Sequence, residues 1–185
     1  MEDIHIGDSI AVNGICLTVT SFTDGDFTMD VMPETIQKTS LQTLSNHSLV
    51  NLERAMAANG RFGGHIVSGH IDGVGTLKSV EENEIAVIWT IEASENLTDG
   101  IVPKGSVALD GISLTVVDVS KTEFTVSLIP HTRSVTNMKD KKIGEPINIE
   151  TDVVGKFVKK YLSKAEPNHS ESKISMDFLA EKGFL

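Results

Sequence analysis

Asn13-Gly14-Ile15-Cys16-Leu17-Thr18-Val19 returns nearly unchanged, 97 residues downstream, as Asp110-Gly111-Ile112-Ser113-Leu114-Thr115-Val116. The same offset carries Phe27-Thr28 to Phe124-Thr125, Pro33 and Thr35 to Pro130 and Thr132, and Asn51 and Glu53 to Asn148 and Glu150. Twelve of the 41 pairs from 13/110 to 53/150 are identical, and no gap is needed. Ungapped self-similarity of this length marks one folded unit used twice. The copies differ in what precedes them: roughly 35 to 40 residues (66–104) lead into Gly105, but only six lead into Gly7. The first copy is therefore expected to lack a stretch of about 30 residues ahead of Met1.

The chain has 185 residues, enough for two units of about 90, and units that small are marginal alone. Mutual packing or oligomerisation is expected. Acidic residues outnumber basic ones 26 to 16, for a net charge of −10. Nucleic-acid partners are excluded on that balance, because phosphate binding needs clustered Lys and Arg. The single cysteine, Cys16, cannot close an intrachain disulfide, which points to the reducing cytoplasm. No apolar run is long enough to cross a membrane, and no basic-then-apolar leader is present.

Short β-branched runs punctuated by Asn-Gly, Asp-Gly and Asp24-Gly25-Asp26 read as antiparallel strands. In the first copy these cover residues 9–12, 17–22, 27–32 and 49–52. In the second they cover 106–109, 114–119, 124–129 and 147–149, preceded by 70–77 and 85–91. A complete unit thus has about six strands, and the first copy as it stands has four. Short, evenly spaced strands with long returns suggest small closed Greek-key barrels, which leave no exposed edge. The fold class is mainly β: two tandem, similar six-stranded barrels, the first N-terminally truncated, followed by a C-terminal amphipathic helix. The helix is read from the stripe Val153, Val154, Phe157, Val158, Tyr161 and Leu162, with Thr151 or Asp152 at its start. Residues 165–172 are polar and read as mobile, and 175–182, ahead of Gly183, read as a short terminal helix. The expected division is 1–64, 65–150 and 151–185, the last serving oligomerisation.

Function can diverge between equivalent positions of a repeat, and here Cys16 faces Ser113, Glu34 faces His131 and Ala55 faces Asp152. On a strand, Cys16 and Thr18 share one face, as do Ser113 and Thr115. Two readings stand side by side: β-forming residues and a core cysteine, or unequal polar groups for two related ligands. The glycine-rich run from Asn59 to Ile71 carries His65 and His70. Histidines five apart fall on opposite faces of a strand, and no Cys or acidic set completes a metal site. They suit acid–base or hydrogen-bonding work, with glycines allowing a flat ligand to approach, or they are incidental to an interdomain turn. Lys104, set opposite Ile6, reads as a solvated lysine ahead of a turn.

Taken together, Asn13 to Val19, Met32-Pro33-Glu34-Thr35, Asn51-Leu52-Glu53-Arg54-Ala55, Gly63-Gly64-His65, Ser68-Gly69-His70, Lys104-Gly105, Asp110 to Thr115, Ile129-Pro130-His131-Thr132 and Asn148-Ile149-Glu150 resemble the heavy-type (α-chain) riboflavin synthase family. The tail Phe178-Leu179, then Gly183-Phe184, is bacillus-like. The resemblance implies a transferase in which two molecules of 6,7-dimethyl-8-ribityllumazine exchange a four-carbon unit, giving riboflavin and a ribitylamino-pyrimidinedione. It implies no metal and no cofactor, because the substrate's acidic ring methyl forms the carbanion. It also implies a homotrimer joined through the C-terminal helices, with a working site between the first barrel of one subunit and the second of its neighbour. Association with lumazine synthase is a further implied partnership.

Carried over by position, the resemblance places catalysis on Cys16, His70, Ser113 and Lys104. It places substrate binding in the first half-site on Cys16, Leu17, Thr18, Asp30, Val31, Met32, Pro33, Glu34 and Thr35. The second half-site takes Gly69, His70, Ile71, Ser113, Leu114, Thr115, Ile129, Pro130, His131, Thr132, Arg133 and Ser134, with Lys104 and Asp152 positioning polar groups or water. The family opens with a Met-Phe-Thr-Gly-Ile-type strand whose internal counterpart here is Gly69-His70-Ile71-Asp72-Gly73. Without it the chain is expected to be a poorly active enzyme. A non-catalytic lumazine- or flavin-binding protein of the same fold is the alternative, since such a protein needs only one half-site.

Overall fold

The two Asn-Gly-type dipeptides turn the same hairpin twice. Asn13 and Gly14 have φ of 46° and 77°, and Asp110 and Gly111 have 45° and 85°. Left-handed backbone at both central positions matches the twist of the flanking strands. It joins β1 (Ser9–Val12) to β2 (Ile15–Phe22) and β7 (Ser106–Leu109) to β8 (Ile112–Val119). Along β2, Ile15, Leu17 and Val19 are buried while Thr18 and Thr20 are exposed, the alternation expected of a half-covered sheet.

The computed structural model describes residues 3–165 and 176–184. The second copy closes: β10 (Pro146–Thr151), β5 (Gly73–Asn83), β6 (Ala86–Glu92), β9 (Glu123–Leu128), β8 and β7 form a six-stranded barrel. Its core includes Leu77, Trp89, Ile91, Phe124, Ile147 and Ile149, each at most 1% exposed. The first copy does not close. Its order is β3 (Phe27–Met29), β2, β1, β4 (Leu52–Arg54), and its core cluster is Ile4, Ile10 and Val19 with Phe27 and Met29 against them. At the repeat offset, β1 to β3 answer β7 to β9 and β4 answers β10. Nothing in the described residues answers β5 and β6.

That absence explains one departure from the sequence reading. A strand over 49–52 is expected, but β4 runs Leu52–Arg54. In the second copy Pro146–Ile149 pairs with β5 and Ile149–Thr151 with β7. Only the latter half has a partner in the first copy, where Leu52–Arg54 pairs with β1. Two other boundaries move for local reasons. The strands expected to reach residues 32 and 129 end at Met29 and Leu128, because Pro33 and Pro130 open α1 (Pro33–Lys38) and α3 (Pro130–Val135). The strand expected at 70–77 begins at Gly73, since the amides of residues 68–70 are bound elsewhere. The short α2 (Glu95–Thr98) links β6 to β7.

The copies meet across a pseudo-twofold polar seam. Gly14 and Gly111 approach so closely that a Cβ on Gly14 would lie 2.5 Å from the Gly111 nitrogen. Asn51 Oδ1 accepts from Asn137 N at 2.8 Å, and Asn148 Oδ1 accepts from Ser40 N, the matching atom pair, at 2.7 Å. Asn51 Nδ2 donates to Asp110 O, and Asn148 Nδ2 to Asn13 O. The symmetry breaks at Asp110, fully buried and 2.7 Å from Lys141 Nζ, where the first copy has Asn13 and Leu44.

α4 (Val153–Ala165) follows β10, with Asp152 Oδ1 accepting from Val154 N and Lys156 paired to Asp72 at 2.7 Å. Val154, Phe157, Val158, Tyr161 and Leu162 remain more than half exposed, as the apolar stripe requires if its partner is another molecule. α5 (Met176–Glu181) stops at Gly183, whose φ is 76°. Residues 166–172 of the polar stretch lie outside the described residues.

Lys141→Leu leaves the Asp110 carboxylate buried without its cation and is expected to lower stability by about 3–5 kcal/mol in urea unfolding. Asp110→Asn combined with Lys141→Leu rebuilds the first copy's pair and is expected to recover most of that loss.

Candidate functional site

Residues 61–70 run between the first sheet and the closed barrel and touch the repeat at the unequal pair Cys16 and Ser113. Gly69, at φ 81°, lies against Cys16: its carbonyl accepts from Cys16 N at 2.9 Å, and a Cβ on it would stand 2.5 Å from Cys16 Cβ. Only glycine fits there, on both steric and conformational grounds. The segment is held by Glu150, 1% exposed, whose Oε1 accepts from Ser68 N and Ser68 Oγ and whose Oε2 accepts from Gly69 N and His70 N. One buried carboxylate satisfied by four donors is a rigid anchor.

At the other end Gly64 packs on Ser113, where a Cβ would come within 2.5 Å of Ser113 Cβ. Ser113 Oγ accepts from His65 N at 3.3 Å and lies 2.7 Å from His65 Nδ1. This suits the Nε2–H tautomer, in which the serine hydroxyl donates to Nδ1. Nε2 is itself buried with no partner among the described residues. A cleft of about 540 Å³ is lined by Cys16, Ser113, His65, Gly69, Glu53 and Arg54, among others. It brings the two diverged positions of the repeat to one place.

The remaining predicted residues fall into three groups. Leu17 and Leu114 are buried and face the two cores, while Thr18 and Thr115 are exposed on the opposite faces of β2 and β8. Asp30 to Thr35 and Ile129 to Ser134 form matching strand-to-helix corners at α1 and α3, outside the cleft; Met32 and Ile129 are 71% and 57% exposed. In the first corner Lys38 holds the Glu34 carboxyl below the usual carboxylate range, first through a 2.6 Å hydrogen bond and then through its charge. His70 is exposed and Ile71 half-buried just beyond the Glu150 anchor.

Lys104 and Asp152 also lie outside the cleft. The register of Lys104 differs from the sequence reading. Lys104 N donates to Val116 O as Gly7 N donates to Val19 O, so its counterpart is Gly7 and not Ile6. Lys104 therefore holds φ of 64° where the first copy uses glycine at 94°. A lysine kept in left-handed backbone costs about 1–2 kcal/mol, and such strain gathers at working positions.

The Lumazine binding domain family matches residues 1–55 and 68–152, one segment for each sheet. The riboflavin synthase of Bacillus subtilis (strain 168) is 53% identical over 184 residues, covering 100% of this chain and 86% of the relative. The chain belongs to the riboflavin synthase family. The riboflavin synthase of Actinobacillus pleuropneumoniae shows the same identity and coverage. Among solved structures, LumP complexed with riboflavin superposes with a TM-score of 0.72 at 26% identity, covering 81% of each chain. The two family segments leave out residues 56–67, the stretch that puts Gly64 and His65 on Ser113.

His65, weighed with His70 as an acid–base or hydrogen-bonding group, is absent from the residues carried over by resemblance, and the glutamates at 53 and 150 were given no site role. The glutamates were visible as an identical pair at the close of each repeat. Nothing in the spacing distinguished His65 from His70 as the partner of Ser113. Glu150→Gln removes the charge from an anchor with four donors; it is expected to destabilise by about 1.5–3 kcal/mol and to speed amide exchange at residues 68–70 first.

Proposed function

We propose that the chain performs the riboflavin synthase reaction through its two unequal half-sites. Two 6,7-dimethyl-8-ribityllumazines are the substrates; one gives up a four-carbon unit and leaves as the ribitylamino-pyrimidinedione, and the other becomes riboflavin. The observation behind this reading is the matched placement of Cys16 and Thr18 on β2 and of Ser113 and Thr115 on β8, equal in backbone and unequal in chemistry. One substrate type in two roles calls for that pairing. Cys16 and Thr18 hydrogen-bond one pteridine ring and Ser113 and Thr115 the other. His65 orients the Ser113 hydroxyl, and His70 takes part in proton transfer. Lys104 and Asp152 position polar groups or water, and the corners at 30–35 and 129–134 enclose the ligands.

Holding two heterocycles in reacting register lowers the barrier by as much as about 7–11 kcal/mol relative to free encounter. The finer organisation belongs to the same proposal. Units 1–64 and 65–150 each bind one lumazine, and 151–185 joins three subunits so that the first unit of one meets the second of the next. The protein works in the cytoplasm, where lumazine synthase is a candidate partner. No described helix is long and apolar enough to cross a membrane.

A second reading, a lumazine or flavin carrier without turnover, draws on the likeness to LumP complexed with riboflavin. Incubation with the lumazine separates the two: riboflavin fluorescence grows for a synthase, whereas a carrier binds the lumazine and forms none. Ser113→Ala is expected to slow riboflavin formation about 100-fold or more. Lys104→Gly relieves the strained backbone and is expected to keep or raise thermal stability while turnover falls. Phe157→Asp on α4 is expected to give monomers in sedimentation velocity.

A further inference from the structure

The His70 imidazole has no hydrogen-bond or ion-pair partner among the described residues, so its position comes from the backbone on either side of it. Before it, Glu150 takes the amides of Ser68, Gly69 and His70. After it, Asp72 N donates to Ile149 O, and the backbone ladder between β5 and β10 begins only at Gly73, opposite Ile149. Beyond that pair a side chain takes over from the ladder. Asp72 Oδ2 accepts from Thr151 N at 2.8 Å and from Thr151 Oγ1 at 2.9 Å. The same oxygen lies 2.7 Å from Lys156 Nζ, near the start of α4.

Two carboxylates therefore cross. Glu150, on β10, holds the segment at 68–70, and Asp72, on the segment, holds the end of β10 and the start of α4. His70 and Ile71 lie between the two anchors. The side chains of Asp72 and Lys156 are 29% and 34% exposed, so water screens the pair only in part. Without Lys156, the Asp72 carboxylate keeps two donors from Thr151 but gains by turning toward water, and the anchor beyond His70 loosens. Lys159, one turn further along α4, is no substitute: it stands 3.9 Å from Asp99, with both side chains more than half exposed.

We propose that Asp72 and Lys156 are positioning residues for His70: the pair ties α4 to the substrate-binding segment, and a shift of the helix is passed to the imidazole. This rests on the reading of His70 as the proton-transfer group. Asp152 caps the same turn of α4, its Oδ1 accepting from Val154 N, so the tie also fixes where that carboxyl stands.

The test compares Lys156→Met, Lys156→Arg and Lys159→Met in the full 185-residue chain. In Lys156→Met, amide exchange at Gly69, His70, Asp72 and Thr151 is expected to speed about fivefold or more, the order set by one lost charge-assisted hydrogen bond. Leu77 and Ile147, deeper in the same barrel, are expected to exchange as before. With 6,7-dimethyl-8-ribityllumazine as substrate, kcat is expected to fall about tenfold while KM stays within about twofold, since displacing a proton-transfer group costs turnover before binding. Lys156→Arg is expected to keep both readouts at the level of the unaltered chain, and Lys159→Met to alter neither. Asp72→Asn, which keeps an acceptor for Thr151 and loses the charge, is expected to match Lys156→Met, and the double variant to add no further loss. The proposal is overturned if exchange at residues 69–72 is unchanged in Lys156→Met, if Lys159→Met has the same effect, or if Lys156→Arg is as impaired as Lys156→Met. It is equally overturned if KM rises in step with the fall in kcat, or if sedimentation velocity shows that lost turnover accompanies a change of assembly. Should the unaltered chain form no riboflavin, the reaction assignment fails separately, and the exchange comparison alone decides whether α4 is tied to the His70 segment.

Discussion

Everything about this molecule depends on a seam in which two copies of one turn meet backbone to backbone. Gly14 and Gly111 leave no room for a side chain, so the carbonyls and amides around them must be satisfied across the interface. Asn51 and Asn148 do this reciprocally, each giving its amide hydrogens to the other copy's turn and its oxygen to a helical corner. Asp110 and Lys141 add one buried charge pair on one side only. A polar set this closely paired disfavours sliding or rotation of one copy against the other. The relative placement of the two sheets within the chain follows from that.

The seam also explains why the diverged residues sit where they do. Cys16 and Ser113 are each two residues beyond the glycine of their turn, so both flank the pseudo-twofold axis. The linking segment is drawn across this axis and tied down by Glu150. Its glycines are used where it touches each strand start, and its His65 reaches Ser113 because Gly64 lets the backbone come close. In the riboflavin synthase family, where two like substrates must be held in unlike roles, a duplicated fold with a few unequal contacts near its axis is an economical arrangement.

The two halves differ sharply in how well they are finished. The second is a closed barrel whose core contains Trp89 and Phe124. The first has the same hairpin, the same corner and the same terminal glutamate, but two open edges and exposed Leu49 and Leu52. An open edge is a template for pairing, and closure is what removes it. β4 covers only the half of its β10 counterpart that has a neighbour, Leu52–Arg54 against β1, since a strand without a neighbour has no ladder to hold it.

By itself, the sequence determined the duplication, the hairpins and the amphipathic helix. Those are local matters, set by Asn-Gly turns, period-two alternation and a helical stripe that need no partner to be read. The identical Glu53 and Glu150 were also legible, though not what they do. Only the tertiary structure decided that Glu150 anchors Ser68 to His70, that His65 and not His70 meets Ser113, and that Lys104 adopts the left-handed backbone of its glycine counterpart. Each is a contact between residues 12 or more apart in the chain, or a backbone angle imposed by such contacts. Spacing carries no information about these until the seam fixes which segments lie side by side.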